Sequence, residues 1–528
     1  MAIDNSASDR SLRIYRQRWW TLAIVSLAWG ISAIGNSILN VALPTLQREL
    51  DASASDLQWM VNAYPLTLAA LLISMGSVGD RLGRAHALRA GVIIFASGSI
   101  WAMMADSPEI IIAARVIMGI GAAIIMPATL ATITHVFPVE ERGKAVAIWA
   151  SILGASIALG PIVGGLLIKY FAWHAIFFFN VPFAIIVLTG GVFVLPNSRN
   201  LNVQRVDIPG MLLSAGGLGT LVYGLIKAGD RGWTDGTVIG YLAGATALIT
   251  LFVLWERYTT KPMVDVGLFT NSRFSVGAAC ILLTTLIYMG TLFALTLYMQ
   301  FVRGYSVLET GIRFLPLGIG YVVGSGTSHR QVDRIGIKWT ISAALVLLAA
   351  ILTSMSFWSV GTPYWIIAPT MFTLAFCIGN VAPPSTASIV GSVPVSRAGA
   401  ASAMSPLSTQ VGGSIGVALL GSILATEYTS SMTTALAGKV TLSEEAAASV
   451  QKSVGSATVV ADKLPVEVGE IIRTAAHNSF MDGWQLMALV ICVIAAAGAI
   501  VAFRFLPPRP LPQPEAAETK GPPDPPLP

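Results

Sequence analysis

The stretch GASIALGPIVGG, residues 154–165, lies in a run that carries no charged residue between Lys144 and Lys169. Small residues at 154, 158 and 165, with Pro161 among them, fall on one helical face at steps of four, three and four. Helices in lipid gain little from burying apolar side chains against one another, so they associate by close backbone approach through small residues. This face predicts a tight helix–helix contact, with a structural and a functional interpretation equally open.

The composition of the 528-residue chain is typical of an integral membrane protein. It is 54% hydrophobic and 11% charged, whereas a soluble domain carries about 25% charged residues. A membrane-spanning helix needs about 20 apolar residues, and the charge-poor runs between residues 21 and 505 provide fourteen such segments. The sequence therefore predicts an all-α integral membrane protein with fourteen transmembrane helices.

The distribution of Lys and Arg predicts the orientation. With the amino terminus inside, 21 of the 32 basic residues lie on the cytoplasmic side, 10 lie outside, and Arg115 lies within a helix. Because cytoplasmic loops are enriched in basic residues, we expect both termini in the cytoplasm. No A-x-A-like cleavage site follows the first apolar run, which indicates a retained helix rather than a signal peptide.

Reactive and metal-binding constellations are not visible. Cys280, Cys377 and Cys492 fall in predicted spans without metal-type spacing, and the five histidines lie far apart. We therefore expect no cofactor, no metal and no enzyme activity. The net charge of +5 needs no nucleic-acid partner to explain it.

Gly76–Arg84, GSVGDRLGR, follows the second predicted span. It resembles the loop signature G-x-x-x-D-R-x-G-R of the major facilitator superfamily. The resemblance implies that Asp80, Arg81 and Arg84 form a latch that stabilises the outward-facing state. Ordinary positive-inside loop charge is the alternative.

A second copy of this motif occurs in VDRIGIK, residues 332–338, where Asp333 lies 253 residues after Asp80. Its matching positions are Asp333, Arg334 and Gly336. An internal repeat of this kind indicates two related six-helix halves that face a site near the membrane midplane.

Three further stretches carry a resemblance to the fourteen-span drug:proton antiporter family of this superfamily, close to QacA/SmvA-type multidrug exporters. They are NVALP at 40–44, GPIVGG at 160–165 and WHAIFFFNVPF at 173–183. GPIVGG resembles the antiporter motif of the fifth helix, which implies a transport role for Gly154, Gly160, Pro161, Gly164 and Gly165.

This resemblance implies a major facilitator fold with two pseudo-symmetric six-helix bundles and an inserted helix pair. The expected organisation is a cytoplasmic segment 1–20, an N-terminal bundle 21–195, a linker and inserted pair 196–260, a C-terminal bundle 261–506 with an extracellular loop 426–483, and a disordered Pro-rich cytoplasmic tail 507–528. The polar loop 426–483 is predicted to contain short amphipathic helices.

Arg115 lies within the fourth predicted span. A charge at membrane depth costs at least about 2.5 to 3.5 kcal/mol, so such a residue is usually retained for a reason. The stretch around it is similar to the fourth-helix motif of the superfamily, which implies a role in transport. Alternatively, the side chain snorkels to the outer interface.

The acidic residues expected of a cation exporter are missing. All 27 Asp and Glu residues fall in predicted loops, the tail or span ends. Positions at which QacA-like relatives tend to carry acids are here Gly35, Asn62, Tyr321, Ser405, Pro406 and Gln410.

Three explanations stay open. The cavity binds neutral amphiphiles or anions through Arg115 or a polar residue, for which the candidates are Asn36, Asn40, Asn62, Tyr321 and Gln410. Protons are handled at the cytoplasmic edge by Asp80 and its arginine neighbours. Or the chain is an uncoupled facilitator. For each single polar residue, bonding between helices, worth about 0.6 kcal/mol, is the competing interpretation.

The function predicted from these observations is export of small hydrophobic or amphiphilic compounds by alternating access. We expect a proton-coupled multidrug antiporter that works as a monomer in the bacterial cytoplasmic membrane, with protons as the coupling ion. The alternative is a dedicated exporter or facilitator of a neutral or anionic metabolite. A non-transporting receptor or scaffold is a third possibility.

Overall fold

The structure is a computed structural model. It describes residues 2–196, 207–260, 262–394, 398–440 and 442–508, of which 2–14, 139–140, 143, 153 and 398–400 are described for the backbone alone. Within these ranges, fourteen helices are long and apolar enough to cross a membrane. The predicted all-α architecture with fourteen spans is confirmed.

Spans 1 to 6 make up the first half. Their bounds are Tyr15–Glu49, Ala54–Leu82, Arg84–Met103, Pro108–Val136, Lys144–Tyr170 and Ala175–Val194. The helix of span 1 begins at Ala2 and that of span 5 at Val139, and span 6 consists of two helices, Ala175–Phe178 and Asn180–Val194.

Spans 7 and 8, Ile208–Arg231 and Gly236–Tyr258, form the inserted pair. Each begins with an aspartate, Asp207 or Asp235, whose side chain accepts a hydrogen bond from the first turn, as N-cap residues do. The two spans pack on each other, and span 7 also packs on spans 2 and 13.

Spans 9 to 14 make up the second half. Their bounds are Ser272–Val302, Val307–Ile335, Ile337–Met355, Tyr364–Val390, Ala401–Leu436 and Val466–Phe505. A short 3-10 helix, Val266–Thr270, precedes span 9, which ends in a π-helical turn, Tyr298–Val302. Span 10 consists of the helices Val307–Arg313 and Leu315–Ile335, and the helix of span 13 begins at Ala398.

The internal repeat is visible in how spans 2 and 10 begin. Ser53 and Asp56 form a reciprocal capping box at span 2, and Ser306 and Glu309 form the same box at span 10. Each pair satisfies two backbone N–H groups that the helix leaves free. The two boxes lie 253 residues apart, the same offset as between Asp80 and Asp333.

The same offset relates the turns at which these spans end. Gly83 has a φ of 106° and Gly336 a φ of 85°, a conformation that favours glycine. Packing repeats as well: spans 1 on 5, 2 on 4 and 3 on 4 in the first half match spans 9 on 13, 10 on 12 and 11 on 12 in the second.

The connections between successive spans alternate between the two ends of the bundle. Spans 1 and 2 are joined by residues 50–53, and we call that end the Leu50 face. Spans 2 and 3 are joined at Gly83, and we call that end the Gly83 face. By the alternation of the spans, the connection from span 13 to span 14 lies on the Leu50 face, whereas those from span 6 to 7 and from span 8 to 9 lie on the Gly83 face.

Two long helices extend into the predicted loop 426–483. The helices of spans 13 and 14 contain 39 and 40 residues, about 60 Å each at 1.5 Å per residue, whereas a whole bilayer is about 40–45 Å thick. Polar side chains beyond the hydrocarbon do not end a helix, so both spans project from the Leu50 face. Residues 437–465 connect them and include two short helices, Glu444–Lys452 and Val454–Asp462.

Two predicted segments lie almost wholly outside the described residues. The polar linker, 196–206, is described only at residue 196, and the Pro-rich tail, 507–528, only at residues 507 and 508.

Candidate transport site

The small-residue face of span 5 packs against span 10 of the other half. A Cβ atom placed on Gly165 would lie 2.6 Å from the Leu308 Cα, and one placed on Gly311 would lie 2.8 Å from the Pro161 carbonyl carbon. Such distances are too short for real Cβ atoms, so only glycine permits this backbone approach. The tight contact predicted for this face is present.

The contact continues towards the middle of the membrane. A Cβ on Gly318 would lie 2.6 Å from the Ala158 Cα, and a Cβ on Gly154 would lie 3.4 Å from the Val322 Cγ2. We call the contact from residues 154–165 to residues 308–322 the span 5–span 10 seam. Its span 10 side contains Gly311 and Gly318, which lie in the two successive helices of that span. The sequence pattern of span 5 does not identify them as its partners.

The other glycines of the motif face span 1 of their own half. A Cβ on Gly160 would lie 2.5 Å from the Ser37 Cβ, and one on Gly164 would lie 3.1 Å from the Ile38 Cγ2. The motif thus holds span 5 tightly between span 1 and span 10.

Further contacts between the halves lie towards the Leu50 face. A Cβ on Gly421 of span 13 would lie 2.8 Å from the Gln58 Cδ of span 2. The Gln300 Nε2 of span 9 donates a hydrogen bond to the Val41 carbonyl of span 1 at 2.8 Å. Spans from both halves therefore meet in the part of the bundle nearest this face.

The Val454–Asp462 helix closes over these contacts. Gln47 at the end of span 1 donates a hydrogen bond from Nε2 to the Ser453 Oγ at 2.7 Å. A Cβ on Gly455 would lie 2.8 Å from the Phe301 ring of span 9. One short helix thus touches the last turns of both half-bundles.

Asp80 and Arg84 meet at the Gly83 face. The Arg84 Nε lies 2.9 Å from the Asp80 Oδ1, and its Nη1 donates to the Ala131 carbonyl at 3.0 Å. Arg84 therefore ties the turn between spans 2 and 3 to span 4. Arg81 is half-buried beside the pair.

The second-half copy of the motif differs in its side chains. Asp333 and Arg334 are exposed, and the Gly336 N–H caps span 10 by donating to the Val332 carbonyl at 2.8 Å. The position that matches Arg84 is Ile337, so the arginine that bridges the first turn to a neighbouring span has no counterpart here. The turn is repeated, but the Asp–Arg pair is not.

A second ion pair lies on the Gly83 face. The Arg18 Nε and Nη2 donate to the Glu141 carboxylate at 2.8 and 3.2 Å. This bond holds the pKa of the Glu141 carboxyl below its ordinary value. It joins the start of span 1 to the first turn of the helix that contains span 5.

Arg115 is buried at the junction of three spans of the first half. Its side chain is 1% exposed, its Nη2 donates to the Asn36 Oδ1 at 2.6 Å, and its Nε donates to the Met60 carbonyl at 3.1 Å. The guanidinium also lies 4.5 Å from the centre of the Tyr64 ring, a cation–π distance. The snorkelling alternative is wrong, because the charge is enclosed by spans 1 and 2.

The two six-helix halves, the inserted pair and the glycine motif between the halves agree with a match to a family model. The model described as Major Facilitator Superfamily matches residues 25–417. The chain belongs to the major facilitator superfamily.

Relatives of this major facilitator are named resistance and export proteins. It is 32% identical over 488 residues to the "Tetracenomycin C resistance and export protein" of Streptomyces glaucescens, covering 92% of this chain and 91% of that protein. It is 32% identical to the "Multidrug efflux pump LfrA" of Mycolicibacterium smegmatis over 92% of this chain and 96% of the relative. The "Methyl viologen resistance protein SmvA" of Salmonella typhimurium is 30% identical over 89% and 94%.

Solved structures show the same fold. A bacterial homologue of the human lysosomal transporter Spinster, described as inward-facing and unoccupied, matches with a TM-score of 0.62 at 15% identity and covers 93% of this chain and 97% of its own. A point mutant of the nucleoside transporter NupG matches with a TM-score of 0.57 at 13% identity, over 92% of this chain and 100% of its own. The family match, the named efflux relatives and the fourteen spans make the chain a multi-pass membrane transporter.

The structure places the five candidate cavity residues of the transporter in different surroundings. Asn36 bonds Arg115, and Asn40 bonds the Asn36 carbonyl of its own helix at 3.1 Å. Tyr321 lies in the seam opposite Gly154, and Gln410 is half-buried in span 13. Among these four, the described contacts bring only Asn36 to Arg115.

Asn62 is the most unusual of the five. It is 0% exposed, and neither its Oδ1 nor its Nδ2 has a hydrogen-bond partner among the described residues. Asn62 lies four residues after Gln58, one helical turn further from the Leu50 face, on the same side of span 2. Gln58 contacts Gly421 of the other half. Buried polar groups normally have partners, so the unpartnered amide of Asn62 sets it apart from the other four candidates.

The charges of the membrane region are few. Among the described residues, Arg115 and Glu256 are the charged side chains that are buried, and no group of three His, Cys, Asp or Glu side chains could hold a metal ion. Glu256 was expected only as a residue at a span end. Its burial could not be read from the sequence, because it depends on residues 207–210 and 264.

Proposed function

We propose that this transporter exports small hydrophobic or amphiphilic compounds from the bacterial cytoplasm or inner leaflet. It works as a monomer in the cytoplasmic membrane, and the proton gradient drives it. The names of relatives aligned over nine-tenths of the chain support the export of toxic compounds. The presence of both halves in one chain supports a monomer.

The Gly83 face is the cytoplasmic face in this proposal. The basic residues concentrate there, with 21 of 32 on that side, as expected for the cytoplasmic side of a membrane protein. Both termini then lie in the cytoplasm, and the Val454–Asp462 helix lies outside.

With this orientation, the span 5–span 10 seam runs from the outer side towards the middle of the bundle. The observation that carries the proposal is the span 5–span 10 seam, in which Gly165, Gly311 and Gly318 bring backbones of opposite halves into contact. The contacts of Gln58 with Gly421 and of Gln47 with Ser453 add to the closure of the outer side. Release of substrate outside requires these contacts to part while the halves rock about the midplane.

Substrate recognition in this proposal rests on two buried polar groups of the first half, Arg115 and Asn62. Arg115 donates to neutral oxygens and has no carboxylate among its described partners, so its positive charge is not cancelled locally. Together with the unpartnered Asn62, it favours neutral or anionic parts of a substrate over a bare cation. Export of a single neutral or anionic metabolite is the second candidate function, and the same charge supports it.

Proton coupling in this proposal uses the cytoplasmic face. The Asp80–Arg84 pair is the acid–base contact that joins spans 2, 3 and 4 there. Loss of the negative charge on Asp80 would weaken that contact and loosen the turn, and this is the step by which the proposal couples the cytoplasmic gate to protons.

The proposal is tested in proteoliposomes with three probes: the cation ethidium, a neutral dye and an organic anion. A multidrug exporter moves ethidium and the neutral dye, and each drives proton flux in the opposite direction. Transport of the anion alone would support the dedicated exporter. Transport of dyes without proton flux would contradict the coupling but keep the export.

A further inference from the structure

Glu256 is a buried carboxyl group in the inserted pair. It lies in the last turn of span 8 and is 3% exposed. Its Oε2 accepts a hydrogen bond from the Val264 N–H at 2.9 Å, whereas its Oε1 has no donor among the described residues. One oxygen thus holds the segment that leads into span 9, and the other is unpaired.

Asp207 is the first residue of the inserted pair. As the N-cap of span 7, it accepts from the Gly210 N–H at 3.0 Å, and the Trp255 indole Nε1 lies 3.0 Å from both of its carboxylate oxygens. Asp207 is half-buried, so its side chain is partly open to the surface.

The two carboxyl groups converge over Gly210. A Cβ on this glycine would lie 2.6 Å from the Asp207 Oδ2 and 2.6 Å from the Glu256 Oε1, so any side chain there would occupy their meeting place. Both oxygens therefore face the same point, and the two carboxyl groups are neighbours. A proton on one of them relieves the repulsion that two negative charges at this place would feel.

The surroundings provide no described cation to replace that proton. The charged groups nearby are Asp207 from span 7, the exposed Arg257 next to Glu256, and Asp265 on the segment after span 8, which bonds the Gly267 N–H. Lys261 lies outside the described residues.

We propose that Asp207 and Glu256 form a proton-binding site on the Gly83 face, and that its proton holds the segment 262–271 against the inserted pair. Met263 of this segment contacts Ser74 of span 2, with 3.5 Å between its Sδ and the serine Oγ. The site therefore acts on a segment that reaches from the inserted pair to the first half. As the pH rises and the proton leaves, the carboxylates separate and Val264 loses its acceptor.

Three variants separate this site from a merely structural contact. Glu256→Gln keeps an acceptor for Val264 but cannot titrate, and Asp207→Asn keeps the N-cap of span 7. Gly210→Ala retains both acids and pushes them apart. The matched control is Asp235→Asn, at the N-cap of span 8 on the opposite face.

The test uses the full-length protein in lipid nanodiscs between about pH 5 and 9, the range in which a shared carboxyl proton can titrate. Infrared spectroscopy follows the protonated carboxyl band, and amide exchange, corrected for its intrinsic pH dependence, follows residues 262–271. We expect one band that disappears in a single step with rising pH, and about fivefold faster exchange across the same step, as for one lost hydrogen bond. The Asp235→Asn control should match the wild type.

Glu256→Gln and Asp207→Asn should each remove the band and make the exchange independent of pH. If both variants fail to fold, Gly210→Ala decides. In this variant the change in band and exchange should occur at lower pH, closer to the pH at which an ordinary carboxyl group titrates. A step that is unchanged in these variants would overturn the site. Neither readout requires transport, so failure of this inference is distinguishable from failure of the proposed export.

Discussion

Gly318 of span 10 lies so close to Ala158 of span 5 that a Cβ on the glycine would be 2.6 Å from the alanine Cα. These residues belong to opposite halves of the bundle. An alternating-access transporter must make and break such a contact in every cycle, and small residues allow the backbones to meet without interlocking side chains.

Gly318→Leu should reduce ethidium efflux at least about tenfold while leaving expression measurable. The larger side chain would have to displace the backbone at Ala158. Overpacking of this kind costs more free energy than a substitution on the surface. The control is Gly326→Leu, eight residues further along the same span, where a Cβ would meet nothing within 4 Å. Normal efflux by Gly318→Leu would refute a functional seam.

The same reasoning ranks two positions on span 5. Gly165→Leu should be as damaging as Gly318→Leu, because Gly165 faces the Leu308 backbone at 2.6 Å. Gly154→Leu should be milder, since its nearest neighbour is a side-chain methyl of Val322 at 3.4 Å. Efflux rates of the variants, measured at equal protein amounts, give the order directly.

Arg115→Gln should change substrate preference rather than abolish transport. Glutamine can still donate one hydrogen bond to Asn36, but the buried positive charge is gone. We expect export of an organic anion to fall about tenfold or more, with ethidium export unchanged or raised. Asn36→Ala serves as the control that alters the bond but keeps the charge, and an equal loss for both substrates in Arg115→Gln would count against recognition by charge.

Asp80→Asn should lower substrate-driven proton flux, because the bond from Arg84 weakens when the carboxylate charge is removed. The pair is partly exposed, and such ion pairs contribute about 0.2 to 1 kcal/mol, so we expect little change in thermal stability. Asp333→Asn is the matched control at the same position of the repeat. Equal effects of both substitutions on flux would contradict a special role for the first turn.

Asn62→Asp and Gly35→Asp restore acids at two positions of span 2 and span 1, with different expected results. Asn62 lies on the face towards the other half, so the new carboxylate should raise preference for cationic dyes. Gly35 faces span 6, where a Cβ would lie 3.2 Å from the Asn180 Oδ1, so Gly35→Asp should destabilise the protein without altering preference. Dye competition assays compare the two variants. A change of selectivity only in Gly35→Asp would mean that Gly35, and not Asn62, faces the substrate.

The repeat and its turns could be predicted because both depend on local sequence. The Asp-Arg-x-Gly echo at Asp80 and Asp333 marks two helix ends, and the structure adds the capping boxes at Ser53 and Ser306 at the same offset. A Ser followed three residues later by an acid is a signal that could have been found from the sequence alone.

The partners of the site residues could not be predicted in the same way. The pattern at 154–165 shows which face of span 5 is small, but not that span 10 meets it. Arg115 is held by Asn36 and by the main chain of Met60. Every residue has a backbone carbonyl, so the sequence does not indicate which one accepts the hydrogen bond. Glu256 looks like an ordinary span end until the fold brings Asp207 to it across 49 residues.

The most direct test of the account is a cross-link across the seam. The double variant Gly154→Cys, Val322→Cys, made in a chain whose three natural cysteines are replaced, brings two thiols together where a Cβ and a side-chain carbon lie 3.4 Å apart, close enough for a disulfide. Ethidium efflux is measured in proteoliposomes before oxidation, after oxidation and after reduction, with each single cysteine variant as control. We predict that oxidation stops efflux in the double variant and that reduction restores it. Unchanged efflux from protein shown by mass to be fully cross-linked would contradict an export cycle in which spans 5 and 10 must part.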